Sequence, residues 1–148
     1  GIYGMVGGQV ADIEAEEAKD PLTMEQLLFI HENKTAALIQ SALMIGAALA
    51  GAGQKQIDEM ERIGYLVGIA YQIEDDILDV TSTLEELGKP IGSDEKNHKT
   101  TYVTLVGIEK AKEEAERLSE EALDRLHALL GEDTFLEELI ISLVNRRK

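Results

Sequence analysis

The residues best equipped for chemistry lie in one stretch, 71–80, YQIEDDILDV. Asp75, Asp76 and Asp79 sit there with Glu74 inside an otherwise apolar run. The flanks contain no proline and read as helix. At about 100° per residue, Gln72, Asp75, Asp76 and Asp79 share one stripe, Ile73, Ile77 and Val80 share another, and Glu74 points elsewhere. Residues four apart on a helix have Cβ atoms roughly 5–6 Å apart, where like charges repel. Partial burial raises carboxylate pKa values further unless a cation intervenes. A hard divalent cation that prefers oxygen removes both penalties. Mg²⁺ is commonly held by one or two carboxylates and completes its shell with water and substrate phosphate. The stripe therefore reads as a Mg²⁺ platform, with Mn²⁺ as the alternative ion and a phosphorylated substrate as the remaining ligand. The competing reading is a solvated acidic face, because short acidic strings match by chance. An EF-hand is excluded, since DDILD lacks the D-x-D-x-D-G loop.

A polyanionic substrate also needs cations, and these are scarce. The 148 residues carry a net charge of −15, which argues against nucleic acid and anionic membrane as partners. Where the lysines lie is thus informative. Lys34 and Thr35 follow His31 at the polar end of an apolar run. A lysine so placed usually snorkels to the surface, but beside a hydroxyl and facing a cleft it binds phosphate. Lys89, Lys96 and Lys99 fall in 81–101, directly after the acidic stripe. Gly88-Lys89-Pro90 marks a turn there. A long polar stretch in a compact domain is functional or disordered. An acidic face followed by a lysine-bearing segment is what a Mg²⁺–diphosphate site requires.

The elements that must position these residues are helices. The length suits one domain with a real core. Hydrophobic residues are 44%, aromatics 4% and prolines 2, which favours helix over a β-sandwich. Residues 1–10, GIYGMVGGQV, read as a loop by glycine propensity. The other reading is a helix whose glycines admit a close neighbour, which would bring Gln9 and Asp12 together. Thr23 is an N-cap with Gln26 in capping-box register, opening a helix over 24–50. A second helix spans 54–80 and carries the acidic stripe, with Gly64 and Gly68 permitting close packing. A short helix follows at 102–107, an amphipathic one at 108–130, and a last apolar one at 135–144. The basic tail Arg146-Arg147-Lys148 suits a helix C-terminal dipole. Residues 35–54 hold no charge and are long enough to cross a bilayer. They are rich in Ala and Gly and lack basic or aromatic flanks, so a buried bundle helix is the expectation. No cysteine is present, and neither disulfides nor a leader peptide are read. The cytoplasm is the expected compartment. The chain opens on Gly1 within a packed-looking segment and reads as a piece of a longer polypeptide. The sum is five or six helices and no sheet.

Five blocks in order, GMVGGQVADI, HENKTAALI, YQIEDDILDV, GKPIGSDEKNHKTTY and the Glu/Lys-rich helix, resemble the C-terminal half of trans-isoprenyl diphosphate synthases, the farnesyl and geranylgeranyl diphosphate synthase family. The resemblance covers nearly all of 1–148. It implies an all-α bundle of the isoprenoid synthase type, here partial. It also implies a prenyltransferase in isoprenoid biosynthesis that joins an allylic diphosphate to isopentenyl diphosphate with Mg²⁺-assisted departure of diphosphate, working as a homodimer. By the same resemblance Asp75, Asp76 and Asp79 form the second aspartate-rich motif, with Asp75 a direct ligand. Lys34 and Thr35 serve the allylic diphosphate and the reacting centre, Gln72 lies near that diphosphate, and Lys89 and Lys99 bind it. The family's first aspartate-rich motif and the residues that hold isopentenyl diphosphate have no match here. This chain alone therefore reads as half an active site, inactive in isolation. The alternatives are a terpene cyclase or another Mg²⁺–diphosphate enzyme, or a non-catalytic regulatory partner subunit.

Overall fold

The computed structural model describes residues 2–17, 20–87, 99–131 and 134–144; in 82–87 and at 134 it describes the backbone alone. Lys89 and Lys96, like the tail 145–148, lie outside the described residues. Among those described, the elements are all helical: α1 (Met5–Glu17), α2 (Met24–His31), a π-helical turn (Glu32–Ala36), α3 (Ala37–Leu49), α4 (Gln54–Leu87), α5 (Tyr102–Val106), α6 (Ile108–Leu130) and α7 (Thr134–Val144). With α2, the π turn and α3 running on as one rod, six rods result, as the periodicity predicts.

The axis of the bundle is α4. Ile63, Leu66, Val67 and Ile73 are fully buried along it and belong to one core cluster with Leu126 of α6. Ala111, Ala115 and Ala122, all without exposure, let α6 lie close. On the other side α4 meets α3 and the π turn across its two glycines. A Cβ on Gly64 would stand 2.6 Å from the Gln40 Cα, and one on Gly68 2.4 Å from the Ala36 Cα. Both distances are shorter than any real contact, so these positions need a bare backbone.

Three expectations are corrected. The Gly-rich N-terminal segment is helix over Met5–Glu17, which corrects the loop reading and agrees with the alternative of a helix with close-packed glycines. Its glycine cost is outweighed by contact, since Gly8 presses on the backbone of Lys34, where a Cβ would come within 2.3 Å of the amide nitrogen. Helix α4 continues past residue 80 to Leu87, because TSTLEEL holds no breaker before Gly88. Finally, α3 is apolar but contains no buried residue. Ile39, Leu43 and Ala47 pack on the core, while Leu38, Ile45 and Leu49 are exposed. Only one flank of α3 has a partner among the described residues. No described helix is long and apolar enough to cross a membrane.

The capping box at Thr23 is formed, with Thr23 Oγ1 accepting from the Gln26 amide and the Gln26 side chain accepting from the Thr23 amide. The rod it opens changes register at Glu32. The Ala37 amide reaches back five residues to the Glu32 carbonyl. Such π turns concentrate at functional sites, and this one carries Lys34 and Thr35.

The two kinds of glycine give opposite predictions. Gly68→Ala overpacks the α4–π contact and should cost about 1–3 kcal/mol, lowering the thermal midpoint by several degrees. Gly46→Ala meets nothing within 4 Å and should raise it slightly, by about 0.5–1 kcal/mol of helix propensity. Thermal melts of both variants check this, and equal shifts of the same sign would contradict the packing described.

Candidate functional site

One cleft of ≈ 540 Å³ gathers residues from α1, α2, the π turn, α4 and the segment before α5. Its lining includes Lys34, Gln72, Asp75, Asp76, Asp79 and Lys99. Six of the eight sequence-predicted site residues thus share one space. Thr35 stands just behind it and donates from Oγ1 to Gln72 Oε1 at 2.5 Å. Lys89 lies outside the described residues. The helical stripe holds as read, with Ile73 and Ile77 buried beneath and Glu74 turned toward Lys112 of α6.

The cleft is acidic. Among the described residues Asp12, Glu16, Asp20, Asp75, Asp76 and Asp79 line it against two lysines, Lys34 and Lys99. The strain shows in the acids. Burial pushes the Asp75 carboxyl up, and Asp79 adds to the rise against the pull of Lys34 and Lys99. Burial drives Asp76 up to about 6, only partly offset by the Tyr102 amide, which donates to Asp76 Oδ2 at 2.7 Å. That amide has no partner within α5, so Asp76 also ties α5 to α4. Rim contacts are supplied by Thr100 Oγ1, which accepts from the Leu22 amide at 3.0 Å, and by Thr101, the N-cap of α5.

Two residues gained no role from sequence. His31 is buried beside Asp76, its Nε2 3.8 Å from Asp76 Oδ2 and its Nδ1 without a hydrogen-bond partner. Burial lowers its pKa to about 4. Asp12 is likewise buried and faces the lysines, with Oδ2 2.5 Å from Lys34 Nζ and Oδ1 3.3 Å from Lys99 Nζ. Burial works against its ionised form, but hydrogen bonds and charge from the two lysines prevail and hold its pKa below the usual range. The signal available in sequence was spacing: His31 precedes Lys34 by one helical turn, and Asp12 follows Gly8 by one.

The donor set suits a hard cation with an incomplete protein shell. Among the described residues no group of three or more His, Asp or Glu side chains is placed to hold a metal ion. One or two carboxylates of the stripe are the donors open to an ion that fills its shell from water and phosphate.

The polyprenyl synthetase family model matches residues 1–131. The chain belongs to this family. A geranylgeranyl diphosphate synthase of Cyanophora paradoxa is 46% identical over 123 residues, which are 83% of this chain and 41% of that protein. An FPP/GFPP synthase from Zymomonas mobilis superposes over 97% of this chain and 46% of its own with a TM-score of 0.82 and 28% identity. A Helicobacter pylori geranyltransferase, solved in complex with magnesium and isoprenyl diphosphate, covers 98% of this chain and 47% of its own at a TM-score of 0.73 and 38% identity. This polyprenyl synthetase chain thus spans about two-fifths of the length of the Cyanophora relative, and its all-α architecture is that of the isoprenoid synthase fold.

The buried pair predicts a pH signature. His31, depressed to about 4 from 6.5, contributes stability that is lost as pH falls below 6.5, because the unfolded chain takes the proton. Asp76, raised to about 6 from 3.8, does the reverse: it costs stability at neutral pH that is recovered as pH falls through 6, on the order of 2–3 kcal/mol. The two slopes oppose each other between about pH 4 and 6. Asp76→Asn should therefore steepen the loss of stability on acidification, and His31→Asn should reverse it. Urea titrations from pH 4 to 7 read both slopes, and identical slopes in the two variants would contradict the assignment.

Proposed function

We propose that the protein to which this chain belongs is a prenyltransferase that condenses an allylic diphosphate with isopentenyl diphosphate. The observation that carries the reading is the cleft: residues from five separate segments bring a half-buried aspartate stripe, two ammonium groups and a Thr–Gln pair to one place. Family membership and the named activities of the relatives support it.

In this reaction the allylic C–O bond breaks, the double bond of isopentenyl diphosphate forms the new C–C bond, and a proton leaves to the released diphosphate. What the protein must supply is stabilisation of negative charge building on the leaving group. Mg²⁺, when bound, supplies Lewis-acid neutralisation of that charge, with Mn²⁺ able to take its place. Asp75 and Asp79 present carboxylate oxygens for the ion. Asp76 shares in the motif through Oδ1, its Oδ2 being engaged by the Tyr102 amide. Lys34 and Lys99 bind the phosphate oxygens from the opposite wall, and Lys89 is expected to join them. Gln72, fixed by the Thr35 hydroxyl, keeps its amide N–H groups for the diphosphate, and Thr35 acts on the site through Gln72.

Residues 1–148 form the C-terminal part of the synthase domain in this proposal. The isopentenyl diphosphate site and the first aspartate-rich motif lie elsewhere in the parent. The exposed apolar side chains on α1, α3 and α7, such as Val10, Leu38, Ile45 and Phe135, are suited to burial against that remainder and in a homodimer. The absence of cysteine is compatible with the cytoplasm. A terpene cyclase or a regulatory subunit has less use for a paired Lys34–Thr35 facing Gln72.

Asp75→Ala in the full-length enzyme should lower kcat/KM at least about 100-fold, a loss of roughly 3 kcal/mol of transition-state stabilisation, while leaving the fold intact by circular dichroism. The 148-residue chain alone should show no turnover of isopentenyl diphosphate with an allylic diphosphate. A near-wild-type rate in the first experiment refutes the site, and turnover in the second refutes the division of the active site.

A further inference from the structure

Lys34 and Lys99 reach the cleft from separate segments of the chain, yet both ammonium groups end on one carboxylate. Asp12 Oδ2 meets Lys34 Nζ and Asp12 Oδ1 meets Lys99 Nζ, at 2.5 and 3.3 Å. The burial is graded: the Asp12 side chain is 9% exposed, whereas those of Lys34 and Lys99 are 33% and 51% exposed. The carboxylate thus forms the back of the arrangement and the ammonium groups its open side. Helix α1 cannot slide away from this position, because Gly8, one turn before Asp12, rests on the Lys34 backbone.

Each ammonium carries three N–H donors. Lys34 spends one on Asp12, and Lys99 spends one on Asp12 and one on Glu16 at 3.1 Å. Both keep hydrogen left over for an anion that approaches from the cleft. Two ammonium groups held together repel, and two long side chains held in one rotamer each give up considerable entropy. A buried carboxylate with one oxygen for each resolves both costs before any ligand arrives.

We infer that Asp12 is a positioning residue that joins Lys34 and Lys99 into a two-ammonium clamp for a diphosphate, staying in place beneath the lysines while the anion binds on top. This rests on the reading of the cleft as a diphosphate site. The opposite arrangement, in which Asp12 stands in for the anion and must be displaced by it, predicts the opposite sign for the variant below.

Competitive acetylation of the full chain with trace acetic anhydride, read by peptide mass spectrometry, tests the pairing without any ligand. In wild type, Lys34 and Lys99 should react several-fold more slowly than the exposed Lys55 and Lys110. In Asp12→Asn they should react as fast as those two. Titration with inorganic pyrophosphate in the presence of Mg²⁺ then tests the consequence. Affinity should fall about tenfold in Asp12→Asn, the size of one charge-assisted contact, and recover in part in Asp12→Glu. Wild-type Lys34 and Lys99 as reactive as Lys55 would overturn the pairing, even if the variants fail to fold. Pyrophosphate binding that is unchanged or tighter in Asp12→Asn would overturn the clamp alone. No Mg²⁺-dependent binding in wild type would sink the diphosphate reading and the clamp with it.

Discussion

The structure depends on how a bundle tolerates negative charge inside a cleft. Among the described residues six carboxylates line one space against two ammonium groups, and Asp75 and Asp76 pay for it in raised pKa values. Left to themselves, these acids would favour a helix turned outward to water. They are kept inward by what lies behind them. Ile73 and Ile77 on the opposite stripe of α4 are core residues, so α4 cannot rotate without exposing them. The hydrophobic effect, at about 25 cal/mol per Å² of apolar surface, holds the acids where their mutual repulsion would not.

The same cleft shows why its lysines need their own support. The π turn widens the α2–α3 rod at Lys34 and Thr35, and bare glycine contacts at Gly8 and Gly68 fix its two sides. Asp12 then anchors the two lysines, Thr35 anchors Gln72, and Asp76 anchors the start of α5. Lys34, Lys99 and Gln72 are each held by a neighbouring side chain. Such preorganisation is what electrostatic catalysis requires, because donors that are already aimed cost no reorganisation at the moment of reaction.

Much of this was legible in the sequence where a local rule coincides with the tertiary demand. The acidic stripe of α4 follows from helical spacing alone. The Thr23 capping box, the close approach at Gly64 and Gly68, and the alanine face of α6 also follow from residue type and register. Apart from the extension of α4 to Leu87, which its own sequence permits, the misses have a common cause, since in each the deciding partner is distant in sequence. Helix α1 is helical in spite of its glycines because Gly8 needs the Lys34 backbone beside it. The π turn follows from nothing in ENKTA itself. His31 and Asp12 are buried polar groups whose meaning depends on Asp76 and on Lys34 and Lys99. Composition made α3 a core helix, but a core helix needs neighbours on every side, and among the described residues α3 has them on one.

The central claim is that the Asp75–Asp79 stripe and the Lys34–Lys99 pair form the two walls of one metal–diphosphate site. Its most direct measurement is a crystal of the chain grown with Mn²⁺ and inorganic pyrophosphate, with data collected at the manganese absorption edge. An anomalous peak within about 2.5 Å of an Asp75 or Asp79 oxygen, with phosphate density between it and the Lys34 and Lys99 ammonium groups, is the expected result. Manganese elsewhere on the acidic surface, with the lysine wall bare, would contradict the account.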